Sequence, residues 1–188
     1  MTDAPDPKAA ARRAGFARRK AAFDCASAAQ ADTLGAVLAP YRGAVLAGYL
    51  PIRTEIDPRP AMALWSATGV VGVPVITGAG QPLRFSRWVP GAPLRAGPFG
   101  AEVPQVDDWV VPDVVIVPLV AFTRGGGRLG YGGGFYDRTL QQLRATRPLR
   151  AIGFAFAAQE DPDLPLEATD QPLDLIVTER GVIVPGGQ

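Results

Sequence analysis

The residues most able to do chemistry lie in the segment RGGGRLGYGGGFYDR, from Arg124 to Arg138. Nearly half of its positions are glycine, the residue that loses most backbone freedom on folding. A helix opens directly after the last glycine, and a helix N-terminus carries free N–H groups and about half a positive charge. Glycines let an anion approach those donors with no Cβ in the way, so strand, glycine loop and helix together make a phosphate site. Arg124, Arg128 and Arg138 add fixed cations that can grip phosphate oxygens through two N–H groups at once. The competing reading is a tight strand-to-helix connection. The usual nucleotide fingerprints are not met: no lysine followed by serine or threonine comes after the glycines, and Gly130, Gly132 and Gly134 recur every second residue. Asp137, in the first helical turn, either complements the helix dipole or binds a magnesium ion riding on the phosphates.

Such a loop needs a frame. DVVIVPLVAF (113–122) is apolar on both faces and β-branched, as expected of a central strand in a mostly parallel sheet, with the glycine loop directly after it. FYDRTLQQLRA follows as a helix whose Tyr136, Leu140 and Leu143 face the sheet. Further strands are expected at AVLAGYL (44–50), VVGVPVIT, LRFSRWV, RAIGFAF (150–156), DLIVTE (174–179) and GVIV. Helices are expected at about 8–23, 28–38 and within PRPAMALWSATG, the first preceded by Pro5 and Pro7 and the last closed by Gly69. Strands alternating with helices predict an α/β, three-layer α/β/α sandwich with a mostly parallel central sheet, and ligands in such folds bind outside the carboxyl ends of the strands. On the first helix Lys8, Arg12, Phe16, Arg19 and Phe23 fall within an arc of about 80°. With Phe16 and Phe23 facing the core, the three cations at its margin either seek an anion or lay their stems over apolar surface.

The bulk numbers set limits. The chain has 188 residues, a formal net charge of +1 and 47% hydrophobic residues. This suits one domain over 1–188 and predicts no nucleic-acid or membrane partner. Histidine is absent, so acid–base or metal chemistry falls to carboxylates, lysine, tyrosine or the substrate. The single cysteine, Cys25, excludes an internal disulfide and is expected to be a buried bystander. No apolar run reaches the roughly 18 residues of a membrane span, and the start has no secretory apolar core, so a cytoplasmic location is the default.

LVAFTRGGGRLGYGGGFYDRTL resembles the signature of the 5-formyltetrahydrofolate cyclo-ligase (methenyltetrahydrofolate synthetase) family, an apolar strand, then R-L-G-x-G-x-G-[YF]-Y-D-R, then a helix. KAAAR (8–12), GYLPIRTEID (48–57), GPFG (97–100) and the block from IGFAFAAQ through DLPLEATD to LDLIVTE are similar to other family segments. The resemblance implies the fold of ribose-5-phosphate isomerase and the CoA-transferases. It implies a reaction in which ATP, with magnesium (Mg2+), phosphorylates the formyl oxygen of 5-formyltetrahydrofolate. Folate nitrogen 10 then attacks, giving 5,10-methenyltetrahydrofolate, ADP and phosphate. By the same resemblance, Lys8, Arg12, Arg128 and the stretch Gly130, Tyr131, Gly132, Gly133, Gly134, Phe135 and Tyr136 would bind ATP. Asp137 and Asp170 would hold the metal, and Leu50, Glu55 and Tyr136 the folate. Tyr131, Phe135, Phe99 and Trp109 are further candidates to stack on pterin or adenine. The expected partners are these small molecules alone, with a monomer favoured.

The sequence departs from the family pattern at Thr123, usually aspartate but still able to hydrogen-bond within a turn. It departs also at Phe135, usually tyrosine, at Val103, where glutamate is usual, and at Thr169, commonly histidine. Two other functions stay open: an isomerase or transferase on the same fold, and a non-catalytic folate- or nucleotide-binding protein.

Overall fold

The structure, a computed structural model, describes residues 6–186; Pro5 and the outermost ends of the expected 1–188 domain lie outside the described residues. In chain order the elements are α1 (Pro7–Asp24), α2 (Asp32–Leu38), β1 (Leu46–Ala47), α3 (Arg59–Ser66), β2 (Val71–Val75) and β3 (Arg84–Arg87). There follow β4 (Leu94–Ala96), β5 (Glu102–Pro104), β6 (Trp109–Val110), β7 (Val114–Pro118), β8 (Ala121–Phe122) and β9 (Arg128–Leu129). The chain continues through α4 (Phe135–Thr146), β10 (Arg150–Phe154), β11 (Leu175–Thr178) and β12 (Gly181–Ile183).

The main sheet has the order β12-β11-β10-β7-β1-β2-β3-β6. Its five inner strands run parallel, and β12, β3 and β6 add antiparallel edges. β7 shows why the sheet carries a layer on each side. Val114 and Ile116 pack with Leu34 and Leu38 of α2 and Met62 and Trp65 of α3, whereas Val115 and Val117 pack with Leu140 of α4. Alternate residues of a strand point to opposite faces, so one apolar run serves both layers. The expected α/β architecture with a mostly parallel central sheet is the one observed.

The expected strand 113–122 is two elements. β7 ends at Pro118, and the chain leaves the sheet to form the β8–β9 hairpin. The Gln159 side-chain amide donates to the carbonyls of Leu119 (2.8 Å) and Val120 (3.0 Å), satisfying backbone that the sheet has released. Thr123 closes the hairpin, with its N–H donating to the Gly127 carbonyl (2.8 Å) and its Oγ1 accepting from the Gly127 N–H (3.1 Å). Gly125 to Gly127 therefore form a hairpin tip, and the loop that enters α4 follows β9, not the central strand.

α1 starts cleanly: Pro7 occupies its first position and the Asp6 carboxylate caps it, accepting from the Lys8 N–H (2.9 Å). It crosses the β7–β8 break at Gly15. A Cβ there would lie 2.8 Å from Val120 Cγ1 and 2.9 Å from the Val120 carbonyl oxygen. Backbone cannot yield to that approach, so Gly15→Ala should push α1 outward. We expect a loss of about 1–3 kcal/mol in chemical denaturation. Unchanged stability would show that α1 does not depend on this contact.

The phenylalanine face of α1 differs from expectation. Phe16 is half-buried, Phe23 is 41% exposed, and Arg19 is the buried residue, at 1% exposure. Arg19 goes in because its guanidinium finds polar partners there. Cys25 is exposed, not buried, because it lies just beyond the end of α1.

Candidate active site

One cavity of about 950 Å3 opens at the carboxyl ends of β1, β2 and β7, where Tyr49, Ile76 and Pro118 line it. That volume is at the upper end of the range for small-molecule sites. Its wall brings together Lys8, Arg12, Leu50, Glu55, Arg128, the whole stretch Gly130 to Tyr136, Asp137 and Asp170. Phe99 lines it as well, 72% exposed at the tip between β4 and β5. Trp109 does not: it sits on edge strand β6 with the Arg84 guanidinium 3.8 Å above its ring.

The glycine loop leaves β9 at Gly130 and enters α4 through Gly134, which caps the helix in the left-handed region at φ +63°. Gly132, at φ +99°, is the other position where a side chain would be strained. A Cβ on it would also meet the Arg12 guanidinium at 3.2 Å. Arg12 Nε donates to the Gly130 carbonyl (3.1 Å), so α1 delivers a cation onto the loop from far away in the chain. Arg138 bends back over the Phe135 ring and donates to the Gly133 carbonyl (2.6 Å).

The charges at this end are paired with one another. Lys8 Nζ is 3.1 Å from Glu167 Oε2 and 3.1 Å from Asp170 Oδ2. Burial works against the charge on Lys8, but the bonds to Asp170 and Glu167 outweigh it and hold the ammonium pKa above its ordinary value. Buried Arg128 donates to Asp137 Oδ1 (2.8 Å). The same oxygen accepts the backbone N–H of Gln171 (2.9 Å), the neighbour of Asp170, which brings the two expected metal ligands to one side of the cavity. No group of three or more histidine, cysteine, aspartate or glutamate side chains that could hold a metal exists among the described residues. Two carboxylates on the wall of a cavity that also holds a glycine-rich helix start fit magnesium, which favours one or two carboxylates and completes its shell with phosphate and water oxygens.

Glu55 occupies another part of the wall. It is 4% exposed; Oε2 accepts the Ile52 N–H (2.9 Å), while Oε1 lies 3.8 Å from Arg19 Nη1. Burial raises its pKa, opposed by the Ile52 N–H, Arg19, Tyr131 and Arg53. Tyr49 and Tyr136 also feel its charge. The Tyr136 hydroxyl and Arg128 Nε are buried without a hydrogen-bond partner among the described residues, so polar groups in the cavity wall still have bonding capacity to offer a ligand. Burial pushes the Tyr136 hydroxyl pKa well up, and burial together with the Glu55 charge takes Tyr131 up to about 12; both phenols are neutral donors near neutral pH.

Sequence reasoning gave no site role to Phe16, Glu167 and Arg53, and set Arg19 among the cations that either seek an anion or cover apolar surface. Phe16 lines the cavity and tilts against Tyr131 at 5.4 Å between ring centres. Glu167 pairs with Lys8, and Arg19 is discussed below. Arg53 lines the cavity at φ +55°; it and Phe99 (φ +61°) are the non-glycine residues at positive φ among the described residues. Strain of this kind, of order 1–3 kcal/mol per residue, collects at ligand sites. No residue type forecasts it; a positive φ at arginine or phenylalanine is visible only in the folded backbone. No helix among the described residues is long and apolar enough to cross a membrane.

Comparison with known proteins agrees with this geometry. Residues 9–179 match the model of the 5-formyltetrahydrofolate cyclo-ligase family. The chain is 40% identical over 147 residues to the Escherichia coli (strain K12) protein of that name, covering 73% of this chain and 79% of that one. A Haemophilus influenzae protein of the same name is 41% identical over 101 residues, and there the match spans about half of each chain, 50% and 54%. The NMR structure of Aquifex aeolicus 5,10-methenyltetrahydrofolate synthetase superposes with a TM-score of 0.75 at 26% identity, covering 96% of this chain and 94% of that one. The match along nearly the whole chain, in sequence and in fold, makes this chain a member of the 5-formyltetrahydrofolate cyclo-ligase family.

Proposed function

We propose that the protein converts 5-formyltetrahydrofolate and ATP into 5,10-methenyltetrahydrofolate, ADP and phosphate, with magnesium bound to the nucleotide. The observation that carries this reading is the convergence of Lys8 and Arg12 from α1 with the glycine loop, Asp137 and Asp170 in one cavity that also contains Glu55. The formyl oxygen attacks the γ-phosphorus and ADP departs; nitrogen 10 then closes on the activated carbon, losing its proton, and phosphate leaves. Both nucleophiles belong to the substrate, so a protein without histidine can do this by positioning reactants and offsetting charge.

The amides of the glycine loop at the start of α4, with Lys8, Arg12 and Arg128, bind the phosphates. Asp137 and Asp170 hold magnesium, which neutralises phosphate charge when bound. Glu55, Leu50 and Tyr136 hold the pterin side. Lys8 and Arg128, paired with Asp170, Glu167 and Asp137 in this structure, would turn to phosphate oxygens when the nucleotide binds, and Asp137 and Asp170 would then be free to hold the metal.

The test is a single mixture of protein, Mg-ATP and 5-formyltetrahydrofolate, followed by absorbance of the methenyl product and by ADP release. Folate-dependent ADP formation supports the proposal. Binding of both ligands without turnover would make the chain a carrier, and turnover of a sugar phosphate or thioester without ATP would make it a different enzyme on the same fold. Within the active enzyme, Arg12→Ala should raise KM for ATP about tenfold, the loss of one charge-assisted contact, and leave KM for folate within twofold. Equal rises in both would remove Arg12 from the phosphate site.

A further inference from the structure

Arg19 is the most deeply buried charge among the described residues, and the phosphate chemistry above does not use it. Its guanidinium spans two loops that come from opposite halves of the chain. Nε donates to Thr54 Oγ1 (3.1 Å) and Nη2 donates to the Tyr131 hydroxyl (2.8 Å). Nη1 is buried with no hydrogen-bond partner among the described residues, and Glu55 Oε1 lies 3.8 Å from it. The Phe16 and Tyr131 rings stand 5.2 and 5.4 Å from the guanidinium carbon. A planar fork with five donors can hold three partners at fixed angles, which an ammonium cannot.

Burying a cation this completely is costly unless its partners compensate. Here the partners are one hydroxyl on each loop and one carboxylate approached but not bonded. Thr54 and Tyr131 therefore fix the plane of the guanidinium, and Nη1 is aimed at Glu55. Glu55 Oε2 is already tied to the Ile52 N–H, which leaves the Arg19 guanidinium and the Tyr131 hydroxyl it holds as the groups that orient Oε1.

We infer that Arg19 is a positioning residue for folate: braced by Thr54 and Tyr131, it fixes the orientation and charge of Glu55 so that Oε1 can accept hydrogen bonds from the pterin. This rests on the proposed cyclo-ligase reading. It goes beyond that reading by placing the determinant of folate affinity on α1, the helix that also carries the nucleotide contacts.

The experiment measures equilibrium binding of 5-formyltetrahydrofolate, and separately of a non-hydrolysable ATP analogue, to wild type, Arg19→Met, Glu55→Gln, the double variant and Thr54→Val. Arg19→Met should weaken folate binding about ten- to a hundredfold, as expected for a lost interaction with a charged group. The ATP analogue should change less than about threefold, and Arg19→Met should add less than about threefold in the Glu55→Gln background, because its effect passes through Glu55. Thr54 does not line the cavity, so Thr54→Val reaches the folate only by loosening Arg19; a loss of about three- to tenfold in folate affinity, with ATP-analogue binding unchanged, is expected.

Equal loss of both ligands, or full additivity with Glu55→Gln, would make Arg19 a structural residue and overturn the inference. If Arg19→Met does not fold, Thr54→Val decides: unchanged folate affinity there overturns it. A wild-type protein that neither binds nor converts 5-formyltetrahydrofolate overturns the functional reading and this inference together. A wild type that does both, with Arg19 variants that do not discriminate between ligands, overturns this inference alone.

Discussion

Asp137→Asn should lower kcat by about a hundred- to a thousandfold, the scale on which one group stabilising transition-state charge acts. The substitution keeps an oxygen to accept the Gln171 N–H and removes only the charge. It also leaves Arg128, buried and with Nε already unpartnered, without its carboxylate. Asp137 is 25% exposed in that pair, so water offsets part of the loss, and a modest fall in thermal midpoint should accompany the kinetic effect. The discriminating readout is a magnesium titration, in which the variant should need a markedly higher concentration for half-maximal rate. A variant with an unchanged magnesium dependence and full activity in its folded fraction would make Asp137 a helix-start residue that only completes the dipole of α4.

Glu55→Gln should raise KM for 5-formyltetrahydrofolate about ten- to a hundredfold, the cost of losing a charged hydrogen-bond acceptor in a buried site, with KM for ATP within twofold. It should also change the pH profile. Burial lifts the Glu55 pKa above the 4.5 of a free side chain. As pH falls through that raised value the carboxylate takes up a proton, so kcat/KM for folate falls on the acid side earlier than an exposed glutamate would cause. Glutamine does not titrate, and this acid limb should vanish. Between 4.5 and the raised value the folded state binds more protons than the unfolded chain, so stability falls as pH rises and ionised Glu55 is a liability to the fold at neutral pH. An acid limb that persists in Glu55→Gln would assign it to the substrate or another carboxylate.

Much of this was legible in the residues. The apolar doublets and their spacing in β7, β10 and β11 identified buried parallel strands, because a strand covered on both faces has no polar alternation to obscure it. The heptapeptide from Gly130 to Tyr136 marked the loop because few backbones need so many small residues before a helix. What escaped notice has physical causes. LVAF continues the hydrophobicity of β7 without a break, and only pairing with Arg128–Leu129 shows that it has turned out of the sheet. Arg19 and Phe23 share one helical face, and helical periodicity expects the phenylalanine to be inside. The reverse holds because a hydroxyl from each of two distant loops is waiting for the arginine, information that lies 35 and 112 residues away along the chain. Trp109 was a plausible stacking ring by type alone; its place on an edge strand is set by β3.

The distance along the chain between α1 and its partners has a kinetic side. The partners of α1 arrive late in synthesis: Gly130 for Arg12, Asp161 for Arg18 and Asp170 for Lys8 are 118, 143 and 162 residues downstream. An alanine-rich helix of 18 residues with a glycine in its interior is marginal by itself, and it cannot dock until the strands and loops that carry these partners are in place. Contacts of such long range are expected to form after the folding barrier, so weakening them accelerates unfolding and leaves the folding rate nearly untouched. The end of the cavity lined by Lys8 and Arg12 would then be the last part of the molecule to assemble and the first to come apart.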